Sequence, residues 1–61
     1  MYIIKVTQGS IVMYYESYMH RRQAPVLGVT KESAFVFKTR ESAQRVLELP
    51  FMPNNCVIEE C

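Results

Sequence analysis

Aspartate is absent from this sequence and histidine occurs once, as His20. A hydrolytic site needs a nucleophile, a base and a group that orients the base. With His20 in a polar stretch and no glycine-rich oxyanion signature, the chain is expected not to be an enzyme. Only two glycines are present, Gly9 and Gly28, and they stand alone, so neither a Walker-type nor a dinucleotide-binding loop can be written through them. Cys56 and Cys61 are the only cysteines. They form no Cys-x-x-Cys pair, and with His20 they fall short of the four ligands a structural zinc site takes. If the tail is a strand, their Cα atoms lie roughly 16 Å apart, beyond the about 7 Å that a disulfide bridges. Glu59 and Glu60 would point to opposite faces of that strand and make a poor carboxylate pair. No metal and no cofactor are therefore expected. No apolar run approaches the roughly 20 residues that span a bilayer. Met1-Tyr-Ile-Ile-Lys-Val lacks a basic start, a long apolar run and a cleavage site. The sequence reads as soluble, cytoplasmic and reduced, with no membrane partner.

What remains is a short chain rich in apolar residues. Its 61 residues allow one domain, residues 1–61, with one small core; 49% are apolar, including four tyrosines and three phenylalanines. That is enough for one layer of helix on sheet, with little left to wall an active-site cavity. The net charge is +1 but unevenly spread. Residues 20–45 carry Arg21, Arg22, Lys31, Lys38, Arg40 and Arg45 against Glu32 and Glu41, a net +4, whereas residues 46–61 carry only Glu48, Glu59 and Glu60, a net −3. Such asymmetry can give a surface one basic side, although a solvated surface of mixed charge accounts for it more simply.

The chain is organised around residues 35–49. Thr39 suits the N-cap position, since its hydroxyl can accept from first-turn amides, and Glu41 suits the positive end of the helix dipole. Ala43, Val46 and Leu47 make one apolar stripe, and Pro50 stops the helix. The spacing predicts a helix near 40–49, preceded by a short strand at Phe35-Val36-Phe37. Upstream, Tyr2–Thr7 and Ile11–Tyr18 read as a hairpin about Gly9, which supplies the positive φ of a tight turn. Residues 19–29 are the least regular stretch, broken by Pro25 and Gly28, with Val26 and Leu27 tucked toward the core. Thr30-Lys-Glu-Ser-Ala34 nearly repeats as Thr39-Arg-Glu-Ser-Ala43; the first copy reads as one helical turn aborted by Phe35-Val36-Phe37. Cys56–Glu60 is the last strand, placed beside the first hairpin. The expected fold is α+β: a β-β-β-α-β domain, mainly antiparallel, with one helix packed on one face.

The run Ala34-Phe-Val-Phe-Lys-Thr-Arg-Glu-Ser-Ala43, followed by a helix and a short strand, resembles a pattern in small bacteriophage-encoded proteins, whose chains often begin with a Tyr/Ile-rich hairpin. The resemblance implies a small accessory protein that binds and redirects a host component, and it assigns no functional residue. A strand leading into Thr/Ser-x-Glu-x-Ala also resembles the helix start of peptidoglycan-binding SPOR-type domains, but only one β-α-β half is present and no export signal precedes it.

Two kinds of partner fit the residues. One helix cannot cover both faces of the sheet. With Tyr2, Ile4 and Val6 inward, Ile3, Val12 and Tyr14 are expected on an exposed face. Apolar and aromatic residues flanked by arginine are what interfaces contain, and Tyr14, Tyr18, His20, Arg21 and Arg22 are the candidate partner-binding residues. The partner would be a host protein or a second copy packed face to face. The alternative is RNA or DNA, bound by Arg21, Arg22, Lys38, Arg40 and Arg45 on phosphates and by Tyr14 and Tyr18 on bases.

Overall fold

A computed structural model describes all of residues 1–61. It is α+β, with β1 (Tyr2–Gln8), β2 (Ile11–Met19), β3 (Ala24–Gly28), a 3-10 turn (Lys31–Ser33), α1 (Arg40–Leu47) and β4 (Cys56–Glu60). The four strands form one antiparallel sheet in the order β3-β2-β1-β4. The first strand is therefore central, and the last lies against it.

The β1–β2 hairpin turns on Gly9 and Ser10, with Gln8 opposite Ile11. Gly9 has φ +62° while Ser10 stays at negative φ, which is the type II′ arrangement that asks for glycine at the first central position. Alternation along β1 puts Tyr2, Ile4 and Val6 on the helix face. There Ile4 and Val6 form the core with Tyr15, Phe37 and Ala43, and Tyr18, Leu27, Val46, Leu47 and Ile58 pack around them. The helix stands as its sequence predicts. Ser42 N–H donates to Thr39 Oγ1 at 3.2 Å, and Ala43, Val46 and Leu47 point at the sheet. It runs from Arg40 to Leu47, with Glu48 closing its end. The near-repeat at Thr30 gives only the aborted turn, because Phe35–Phe37 leaves it for the sheet.

Three expectations need correcting. The third strand is Ala24–Gly28, in the stretch expected to be irregular, and not Phe35–Phe37. Pro25 is tolerated because β3 is an edge strand and needs no outward N–H. Its register with β2 slips between Tyr15 and Ser17, a β-bulge at Glu16 that brings Tyr18 back to the helix face.

Phe35–Phe37, in turn, fills the gap this bulge opens. Phe35 N–H donates to Tyr15 O at 2.9 Å, and Tyr2 and Phe37 exchange both backbone bonds at 2.9 and 2.7 Å. The segment is a wedge between β1 and β2, not a full strand.

Ile3 is 2% exposed, not free. Residues 30–34 cross the second face. Lys31 reaches Glu59 at 3.4 Å, Lys5 meets the same carboxylate at 3.8 Å, and Glu16 and Ser33 occupy the space where Gly28 has no Cβ. Val12 stays exposed and Tyr14 is half-buried. This second covering is hard to see in sequence, because Thr30–Ala34 carries no apolar stripe of its own.

Candidate partner-binding surface

The β2–β3 turn presents His20, Arg21 and Arg22 to solvent. It is a tight four-residue connection, with Arg22 N–H bonded to Met19 O and Gln23 N–H to His20 O, and with Gln23 at φ +50°. At its base the Tyr18 ring packs edge-on to His20, centroids 5.0 Å apart. The same tyrosine donates its hydroxyl to Pro50 O at 2.6 Å. That bond sets the loop after α1 beside the basic turn. Phe51, the next residue, is 76% exposed and has φ +62°, a conformation bulky side chains rarely adopt.

The structure therefore brings together four of the five candidate residues and separates the fifth. Tyr18, His20, Arg21 and Arg22 lie at one end of the molecule. Tyr14 sits on the opposite face, between Lys5 and Gly28 in neighbouring strands. Tyr18 is also a core residue, its ring against the cluster and its hydroxyl already engaged. It positions the surface more than it offers one.

Sequence reasoning missed Phe51, which lies between the helix stop at Pro50 and the last strand. The available signal was an aromatic residue between Pro50 and Pro53, where a plain turn has no need of one. A second apolar feature lies at the helix start: an open cleft lined by Phe35, Val36, Phe37, Lys38 and Ser42. Phe35 and Val36 are half exposed there. Phe35 sits 4.8 Å from Phe37, which stacks on Tyr15 at 5.9 Å, so the cleft has a rigid aromatic floor.

Burial pushes the Tyr15 hydroxyl up from its ordinary 10.0, and the neighbouring Tyr18 adds to the rise. Burial likewise raises the Cys56 thiol from 9.0, and its Sγ donates to Pro53 O at 3.0 Å. Cys56 and Cys61 are both free thiols. Comparisons with protein families, with curated proteins and with solved structures found no match.

Proposed function

We propose that this chain is a non-enzymatic, protein-binding accessory factor of bacteriophage type that acts in the host cytoplasm by inhibiting or redirecting a host protein. One observation carries the reading. Phe51 is 76% exposed in a left-handed backbone conformation, directly after Pro50, whose carbonyl is bonded to the Tyr18 that packs on His20 at the base of the basic turn. That conformation costs about 1–2 kcal/mol for a residue with a Cβ, and strain of this kind concentrates at sites that use it. Exposed aromatic residues and arginine are also the composition that interface centres favour. The basic turn and the exposed ring fit a partner that offers acidic groups and an apolar socket.

The test is affinity capture from nuclease-treated bacterial lysate with wild type and Phe51→Gly. Glycine relieves the backbone strain, so the variant should fold at least as well. The expected result is a stoichiometric protein retained by wild type and lost by the variant. Equal capture by both would sink the reading.

A second reading, an RNA- or DNA-binding protein, draws on the adjacency of Arg21 and Arg22 on one exposed turn. Arg21→Glu with Arg22→Glu should then abolish binding to single-stranded nucleic acid, and wild-type binding should weaken steeply with salt.

A further inference from the structure

The two edges of the sheet are not alike. The β3 edge carries Pro25, which has no N–H, and its register is broken by the bulge. The β4 edge has neither interruption. Its hydrogen-bonding direction follows from two bonds that frame the ladder: Thr7 N–H donates to Asn55 O at 3.2 Å, and Cys61 N–H to Met1 O at 2.9 Å. With Lys5 opposite Val57 and Ile3 opposite Glu59, Val57 and Glu59 turn their backbone groups toward β1. In an antiparallel ladder the alternate residues point the other way. Cys56, Ile58 and Glu60 thus aim N–H and C=O outward, and no backbone hydrogen bond outside the regular ladders uses them.

We propose that this edge pairs with the same edge of a second copy, β4 against β4 about a two-fold axis at Ile58, joining two sheets into one. The partner is fixed by self-complementarity. Outward-facing residues occur at 56, 58 and 60, symmetric about Ile58. The axis therefore sets Ile58 opposite Ile58 and Cys56 opposite Glu60, and each such pair has both backbone groups in place to exchange bonds. Moving the axis to Glu59 would set two carboxylates face to face. Moving it to Val57 would leave Glu60 opposite Asn54, beyond the strand.

The side-chain rows agree with this register. On the helix face, Ile4 already lies beside Ile58, so the row continues as Ile4, Ile58, then the second copy's Ile58 and Ile4. The half-buried Ile58 gains an apolar neighbour on its open side. On the other face the row reads Lys5, Val57, then the second copy's Glu59 and Ile3. Val57, 59% exposed in the single chain, then lies between a cation and an anion. Glu59 does not oppose its own symmetry mate, and its charge is already shared with Lys5 and Lys31. Residues 30–34 cross the second face and bury Ile3, which leaves less room for face-to-face packing there than for pairing at this edge. The inference is independent of the binding surface at Phe51.

Val57→Glu tests it. Within one chain the new carboxylate faces Lys5, which favours the fold. Across the axis it directly opposes the second copy's Glu59, and like charges directly opposite destabilise a strand pair. Sedimentation equilibrium over a concentration series should give wild type twice the 7.1 kDa chain mass. Val57→Glu should raise the dissociation constant by about tenfold or more, two opposed pairs acting at once. Amide hydrogen exchange gives a second readout. Cys56, Ile58 and Glu60 amides should be protected in the dimer and lose protection on dilution, whereas Val57 and Glu59 stay protected in both. A monomer at about millimolar concentration, a dimer that Val57→Glu leaves intact, or rapid exchange at the three outward amides in a dimer would each overturn the proposal. So would occupation of this edge by a strand of a different protein in place of the second copy.

Discussion

At the scale of single residues, backbone angle and available space make different demands. Gly9 has open space around its Cα but a positive φ, so Gly9→Ala should cost about 1 kcal/mol through the backbone alone. Gly28 has ordinary φ but crowded surroundings. The atoms crowding it are the flexible end of Glu16 and the Ser33 hydroxyl, which must loosen its two bonds to Thr30 to make room, so Gly28→Ala should cost about 1–2 kcal/mol, more than Gly9→Ala. Chemical denaturation of the two variants tests that order.

Phe51 is the converse case, a bulky residue where glycine would fit. Phe51→Gly should raise stability by a few tenths to about 1 kcal/mol, the relieved strain being partly offset by a freer unfolded chain. The two thiols differ as well. Cys61 is exposed, whereas Cys56 is half-buried, hydrogen-bonded and raised in pKa, and the thiolate is the reactive form. Alkylation followed by mass spectrometry should modify Cys61 first and Cys56 at the rate of local opening.

Titration at Tyr15 gives a stability change of known sign. Its hydroxyl binds the proton more tightly in the folded chain than in the unfolded one. The associated stabilisation is therefore complete below about pH 10 and is lost as pH rises through the higher folded value. Tyr15→Phe should flatten the fall in stability above pH 10, as read from thermal melts across the alkaline range.

Elements were unequally legible in the sequence, and the reasons are physical. The helix could be read because its signals are local: Thr39 caps, Ala43, Val46 and Leu47 share a face, Pro50 stops. Thr39→Ala should accordingly cost about 1 kcal/mol, measurable by denaturant titration. The hairpin was legible from alternation and Gly9. The third strand was not, because Ala24-Pro-Val-Leu-Gly28 carries two breakers; its edge position makes Pro25 harmless, and Gly28 leaves room for Glu16 and Ser33. The Phe35–Phe37 wedge was hidden for the opposite reason. Its residues have strong strand character, yet the gap they fill exists only because Glu16 bulges from β2. At the candidate surface, His20, Arg21 and Arg22 could be found as a polar turn. Phe51 joins them only through the Tyr18–Pro50 bond, which spans 32 residues.

The whole molecule is a slab of 28 × 28 × 18 Å, one helix over one sheet with a partial cover beneath. Only seven of its residues are buried, so each carries a large share of a small total stability. Ile4→Ala should cost about 2–5 kcal/mol, enough to leave a substantial unfolded fraction at room temperature by circular dichroism. Joining two slabs along β4 would be the simplest way to enlarge that core, because the row of Ile4 and Ile58 ends at an open edge.

The central position of β1 has a consequence for synthesis. Within this sheet β1 is made before all the other strands and its neighbour β4 after them, so the middle of the sheet stays open on one side until β4 has been made. The hairpin can close early, since its contacts are local, whereas the β1–β4 ladder must wait for every element between them. Until then Ile4 and Val6 lack the side chains of Ile58 and Cys56 beside them, and a nascent chain is open to pairing with whatever strand comes near. The open side of β1 is therefore closed only when β4 joins it.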